Sequence, residues 1–437
     1  MQTDTTPANS DQAIGIGRRD HLLEEADVAA ICDRVVETWK PDGKRLLFIV
    51  PDHSRTCPLD MLFRLLYQRL AARAKNLDFL VALGTHPPLT REQICQRMGI
   101  TPAQHESQYP RARFFNHEWK NPAQLSEVGR FTRKDIHAIT DGRFEMDVSV
   151  TCNRVVHDYD LLVIVGPVFP HEVVGFSGGN KYLFPGIAGQ EIIDFFHWLG
   201  AVITNPVIIG NKWTPVRRVV DRAAAMLKVE RQALCMVVKG HDLAGLYAGT
   251  PEAAWSAAAD LSREIHIQYF DRPFHTVLAC APKMYDDIWT GGKCMYKTEP
   301  VVANGGKVII YAPHITEISS VHGAILHEIG YHTRDFFLKQ WDRYQHYPWG
   351  VVAHSTHVKG IGTYENGKEN PRVEVILATG IPETVCRQVN LGYLDHRSVK
   401  GSDYDRREAE GILYVPRAGE ILYRWRGAPP ELGGTGK

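Results

Sequence analysis

Three stretches of this chain share one construction: RLLFIVPD from Arg45, DFLVALGTH from Asp78 and DLLVIVGPVFPHE from Asp160. Each is an unbroken apolar run that delivers its polar residues at the carboxyl end. A strand with one wet face alternates apolar and polar side chains; an unbroken run needs apolar cover on both faces, as parallel strands have in a helix-covered sheet. Between the first two runs, DMLFRLLYQRLAARA has helical apolar spacing and can supply the crossover that a parallel pair requires. Ligands in such sheets gather beyond the strands' carboxyl ends, so PDHSR, GTHPP and PHE mark where a site is expected.

A surface segment is expected over 99–145, ahead of the third run. Beyond that run follow a helix at TPVRRVVDRAAAMLK, a strand at ALCMVVKG, a helix around TPEAAWSAAADLSREI and a strand at IHIQYF, with DRPF as a linker. A second α/β pattern opens with HTVLACAP and GKVIIYAP. It continues through helical stretches near ISSVHGAILHEI, TRDFFLKQWDRY and PWGVVAHSTHV to VEVILATG, and ILYVPRAGEILYRW closes the chain as returning strand. At 437 residues the chain exceeds what one core usually serves. The expected fold class is α/β: two α/β domains with mainly parallel sheets and an interdomain active-site cleft. The N-terminal domain is expected over 1–270, completed by 411–437, and the C-terminal domain over 274–400.

Fifty basic residues balance fifty acidic ones without a like-charge run, which argues against a nucleic-acid groove or an anionic membrane surface and for a small-molecule partner. The eight cysteines are scattered without a CxxC pair, so neither a zinc ribbon, an iron–sulfur cluster nor a disulfide framework is indicated, and a reducing, cytoplasmic setting is expected. The opening MQTDTTPANSDQ reads as a loose polar tail rather than a signal peptide, and no window reaches the roughly 18 to 20 apolar residues of a membrane span.

Residues 171–181, HEVVGFSGGNK, place a histidine, a Ser-Gly-Gly turn and a lysine together. GFSGGNK is not a Walker A loop, because Asn180 stands where that motif needs glycine and Tyr182 where it needs Ser or Thr. Ser177, Gly178 and Gly179 form either a plain turn or backbone donors for an anion. HEIGYH tempts a metalloprotease reading, but position i+4 from His327 is Tyr331, with His332 one further, so two ligands cannot share one helix face. His197, in IIDFFHW, would by itself be a core histidine. Its recurrence with His86, His171, Lys181, Asp52 and Arg55 at sheet-end positions points instead to one cleft holding acid/base groups, a metal-ligand type and an anion clamp. Lys293, after two glycines in YDDIWTGGK, would add a second positive charge if it faces that cleft.

These residues resemble the lactate racemase family, enzymes dependent on a nickel-pincer nucleotide. PDHSR, GTHPPLT, PHEVVGFSGGNK, PGIAGQEIIDFFH and the GGK at 291–293 occur in the family's order across most of the chain. The resemblance implies a pyridinium-3-thioamide-5-thiocarboxylic acid mononucleotide joined to Lys181, with nickel held by two sulfurs, a ring carbon and His197. It implies further that Ser177, Gly178, Gly179 and Asp52 lie near the nucleotide, that His86 and His171 are the acid/base pair, and that Arg55 and Lys293 hold the substrate carboxylate. The reaction implied is inversion of C2 of a 2-hydroxy acid by hydride transfer through a 2-keto acid, a racemase or epimerase that depends on cofactor-synthesis proteins.

Trp289 and Thr290 stand where lactate-specific members are expected to carry Tyr-Gln, so the substrate tail is expected to differ. Polar and aromatic residues of the second domain, His314, Thr316, Glu317, Tyr344, His346 and Trp349, would suit a sugar acid such as gluconate if they face the cleft. The alternatives are a lactate or other short 2-hydroxy acid racemase, a zinc-dependent hydrolase or lyase, and a nickel or nucleotide carrier.

Overall fold

The three apolar runs lie side by side in one sheet. A computed structural model describes residues 13–434; the stretch 1–12, read as a loose tail, lies outside the described residues. The first sheet has seven strands in the spatial order Ile14–Gly17, Asp242–Gly249, Glu230–Lys239, Leu161–Pro167, Arg45–Pro51, Asn76–Ala82 and Ala112–Asn116. The five strands from Glu230–Lys239 to Ala112–Asn116 pair in parallel, and the two strands at the other edge are antiparallel. Side chains alternate between two dry faces. Leu46, Phe48 and Val50 join the cluster under the helices Glu25–Trp39 and Leu59–Leu70, while Leu47 and Ile49 join the opposite cluster with Phe196 and Val219. This double cover is what the unbroken runs demanded.

Strand order starts in the middle at Arg45–Pro51. It then runs outward one way through Asn76–Ala82 and the other way through Leu161–Pro167. Neighbouring strand ends whose chains depart in opposite directions leave a crevice between them, and Asp52, Arg55 and His171 stand at that switch point.

The second sheet repeats the device. Its five parallel strands run Gly392–Tyr393, Glu374–Thr379, Val302–Ala312, Phe274–Cys280 and Ile412–Val415, with the reversal between the last two. The carboxyl end of Phe274–Cys280 leads into the segment that carries Trp289 and Lys293.

The lobes share one apolar core that includes Ile193, Trp198, Val351 and Val352. Helix Gln190–Ile203 packs against helix Trp349–Lys359, where Asp194 Oδ1 accepts from the first-turn N–H of Gly350 at 2.9 Å. Trp198 stacks on Trp341 with 4.8 Å between ring centroids and 4° between planes. Asn205 Nδ2 donates to Tyr296 O at 3.1 Å and Glu299 Oε2 at 2.9 Å. The cleft is therefore a crevice in a continuous body.

Two expectations are corrected. The stretch 99–145 is not simply surface: Ala112–Asn116 is an edge strand, and Phe131, Ile136 and Ile139 are core residues whose apolar positions are too short a pattern to stand out among their charged neighbours. The closing segment does not act as one return to the first lobe. Ile412–Val415 adds to the second sheet beside Thr276–Ala279, and only Leu422–Trp425 crosses back, to pair with Ile267–Phe270. The turn at Pro416–Gly419 separates two strands that the apolar pattern alone reads as one element.

Glu299 is fully buried; its oxygens accept from Asn205 and, at 2.8 Å, from Ile361 N, with Arg372 at 4.0 Å. Glu299→Ala removes the acceptor of two donors and the countercharge of Arg372, and should lower stability by about 3–5 kcal/mol. A fall in the urea midpoint at unchanged slope would show this, and an unmoved midpoint would refute it.

Candidate active site

Sheet ends from both lobes line one cavity of about 150 Å³. From the first sheet come Asp52 and Arg55 after Arg45–Pro51, His86 after Asn76–Ala82, and His171, Ser177, Gly178 and Lys181 after Leu161–Pro167; His197 arrives on helix Gln190–Ile203. Trp289, Thr290 and Lys293 close it from the second lobe. Of the residues given cofactor, catalytic or carboxylate roles by the resemblance, together with Trp289 and Thr290, only Gly179 does not line the cavity. A Cβ there would meet Trp255 Cβ at 2.9 Å.

The Ser-Gly-Gly turn is held from behind. Buried Arg217 stacks 3.8 Å from the Trp255 ring centroid and donates to Phe176 O at 2.7 Å and more weakly to Gly178 O. Trp255 Nε1 donates to Ser177 O at 2.9 Å. Because C=O and the following N–H point oppositely across a trans peptide, pinning Ser177 O to Trp255 turns the Gly178 N–H away from that ring. Gly178 has φ +86°, which a side chain would strain, and a Cβ would meet Val168 Cγ2 at 2.6 Å. Ser177 is a structural clasp, its Oγ accepting from Phe169 N at 2.9 Å and donating to Pro167 O at 3.2 Å. The three-residue anion cradle thus reduces to Gly178.

Each catalytic candidate histidine has a carboxylate at Nδ1. His86 Nδ1 lies 2.5 Å from Asp52 Oδ2, and Asp52 Oδ1 accepts from Ser54 Oγ at 2.7 Å. Burial pushes the Asp52 carboxyl up, but His86, the Ser54 hydrogen bond and Arg55 outweigh it and hold it well below the usual range. An ionised carboxylate only accepts, so Nδ1 carries the proton and the neutral ring keeps a lone pair on Nε2. His171 is arranged oppositely. Its Nδ1 accepts from Val173 N at 3.2 Å, so the neutral ring carries its proton on Nε2. Burial first, then Lys181, Arg55, Lys297 and His197, keep this ring neutral, and Glu172 Oε2 stands 3.4 Å from Nδ1.

Burial, with Arg55 nearby, lowers Lys181 to about 7, so a substantial fraction of its amine is uncharged and nucleophilic near neutrality. His197 Nδ1 donates to Ile193 O at 2.7 Å, which fixes the tautomer and leaves Nε2 as a free ligand atom; burial lowers the ring to about 4 and keeps it neutral. Among the described residues no three His, Cys, Asp or Glu side chains converge as a metal site. A metal at His197 would need its other donors from a bound group.

The second-lobe wall was misread from sequence. His314, Thr316, Glu317 and His346 are exposed, Tyr344 packs on Phe336 and Phe337, Trp349 packs on Trp341, and none lines the cavity. Tyr296, His354 and His357 form that wall instead. His354 and His357 repeat at i, i+3 in AHSTHV, a helix-face signal that was available but looked like core. Glu172 and Lys297 were also missed. Lys297 lies one turn after Lys293, and its buried ammonium donates to Pro170 O beside His171.

Comparison with known proteins fits this geometry. The "Lactate racemase N-terminal domain" family matches residues 19–207, which include every first-lobe residue of the cavity. Over that stretch the chain is similar to the lactate racemase family. Lactate racemases of Thermoanaerobacterium thermosaccharolyticum and Lactiplantibacillus plantarum are each 25% identical, over 288 and 276 residues; the matches cover 64% and 62% of this chain. They span about three fifths of those relatives, 61% and 60%. A crystal structure of a Thermotoga maritima protein is 32% identical with a TM-score of 0.86, covering 94% of this chain and all of that one. The lactate racemase apoprotein of T. thermosaccharolyticum shares the fold, with a TM-score of 0.68 at 20% identity, covering 91% of this chain and 92% of that one. No helix among the described residues is long and apolar enough to cross a membrane.

The lowered Lys181 amine makes a pH prediction. Between about 7 and the ordinary lysine value of 10.5 the unfolded chain holds a proton that the folded lysine has released, so stability rises with pH in that window. Urea midpoints between pH 7 and 9 should therefore climb more steeply in the wild type than in Lys181→Met. Identical slopes would mean that Lys181 is solvated.

Proposed function

We propose that this protein inverts C2 of a 2-hydroxy acid, as an isomerase with a nickel-pincer nucleotide attached to Lys181. The observation that carries the reading is the pairing of a partly uncharged lysine with a histidine whose free Nε2 enters the same cavity. The donor set fits that group: one protein ligand, His197, and a lysine for covalent attachment, with Gly178 N–H and Asp52 available to the nucleotide. When bound, it would supply nickel and the acceptor for the C2 hydrogen as hydride.

The chain's own residues would perform the rest. Arg55 and Lys293 bind the carboxylate, Arg through a planar fork and Lys as a point charge. Neutral His86, oriented by Asp52, takes the hydroxyl proton at Nε2 while C2 becomes a keto carbon, and the keto acid turns about its held carboxylate. His171 serves the other face. Its Nε2–H bonds the oxygen and passes to it as hydride returns to C2, while a solvent proton, replacing the one His86 releases to solvent, reaches Nδ1 beside Glu172. Attachment at Lys181 removes one of the charges that oppose this protonation.

We propose a sugar acid such as gluconate as substrate, because Trp289 and Thr290 replace the residues expected of lactate-specific members. The names of the curated relatives favour lactate as the second reading. The zinc hydrolase reading lacks a three-donor cluster among the described residues, and a carrier has no use for the Asp52–His86 pair. Cofactor-synthesis proteins are proposed partners.

Intact mass and nickel analysis of protein made in a host that synthesises the cofactor tests this reading. A mass increment with bound nickel is expected in the wild type, and Lys181→Ala should lose both. A cofactor-supplied wild type with neither would sink it. Asp52→Asn should keep the increment but lower kcat by about 10²-fold or more, from loss of the oriented base.

A further inference from the structure

A second cavity of about 250 Å³ opens beside the first and shares Ser54, Thr85, His86, Trp289 and Thr290 with it. It lies between the lobes, past the histidine expected to take the hydroxyl proton. Its wall is polar. Gln93 uses its oxygen on Thr90 N at 2.8 Å, which leaves the amide NH₂ free. Ser319 Oγ accepts from His322 N at 3.1 Å, which leaves its O–H to donate. Thr290 Oγ1 donates to Asp287, which leaves its lone pairs to accept. His322 is 8% exposed, stacks 4.2 Å from Trp289, and has a buried Nε2 with no hydrogen-bond partner. Such a nitrogen lacks about one hydrogen bond, which a ligand hydroxyl can restore once the ring turns it out of the wall.

Charge decides what kind of ligand enters. The wall includes Asp286 and Asp287 but no lysine or arginine. All four cations of the site, Arg55, Lys181, Lys293 and Lys297, line the first cavity or the small pocket on its other side. A second carboxylate or a nucleotide phosphate would be desolvated facing acids without a countercharge. A neutral chain of hydroxyls finds both donors and acceptors.

We propose that this cavity is the subsite for the polyhydroxylated tail of the substrate, so that the enzyme selects aldonic acids of five or six carbons over lactate and over dicarboxylic 2-hydroxy acids. The inference rests on the racemase reading and assigns its specificity to Gln93, Ser319 and His322, with Trp289 as the floor on which His322 is stacked.

The test measures C2 inversion by the nickel-loaded holoenzyme on lactate, malate, glycerate and the aldonic acids of four to six carbons. It compares wild type with Gln93→Leu and with His322→Phe, which keeps the stack on Trp289 but removes the ring nitrogens. Wild-type kcat/KM should rise with chain length to the five- and six-carbon acids and be lowest for malate. Each variant should lose about tenfold on the six-carbon acid, mostly in KM, with a much smaller loss on lactate and the Lys181 mass increment retained. Equal losses at every chain length, or a preference for malate or lactate in the wild type, would overturn the subsite. Loss of the increment in the variants would overturn it too, by showing that the cavity holds the nucleotide. A wild type without increment or turnover on any acid overturns the racemase reading, and the subsite with it.

Discussion

A strand buried on both faces can show polar side chains only where it stops. That constraint places the whole site, because Asp52, Arg55, His86 and His171 all follow dry parallel strands and can meet water or ligand only beyond their carboxyl ends. Strand order then selects which ends converge. Each sheet reverses direction once, and both reversals open toward the same crevice, so the first sheet's bases face the second sheet's Lys293 and Trp289.

Charge in this crevice is uneven, and the imbalance does chemical work. Arg55, Lys181, Lys293 and Lys297 are gathered with Glu172 as nearby countercharge, and burial lowers Lys181 and Lys297 to about 7 and Lys293 to about 8. The same crowd keeps His171 neutral, while the Asp52 carboxylate fixes the tautomer of His86. Two chemically identical rings are thereby held in opposite tautomers. The neighbouring cavity carries Asp286 and Asp287 and no lysine or arginine, so the field across the two cavities is directional.

Much of the first lobe was legible because its signals are local. Lys181, His197 and the Ser-Gly-Gly turn stand at short, fixed spacings, and the apolar runs announce their own strands. What stayed hidden depended on contacts between distant segments. Nothing near Arg217 in sequence shows that it pins the turn at residues 176–178, and nothing in AHSTHV distinguishes a cleft-lining helix face from a core one. Polar residues such as His314 and Glu317 looked functional and proved exposed, since composition does not report which way a loop faces.

From sequence alone came the parallel α/β class, the strand ends that bear chemistry and the residue types gathered there, because each follows from hydrophobic periodicity and covalent neighbourhood. Tertiary structure decided that Asp52 fixes the tautomer of His86, that Gly178 lines the cavity and Gly179 does not, and that a second space without lysine or arginine adjoins the first. Those outcomes depend on hydrogen bonds and packing between segments tens to hundreds of residues apart, and no local pattern in the chain encodes them.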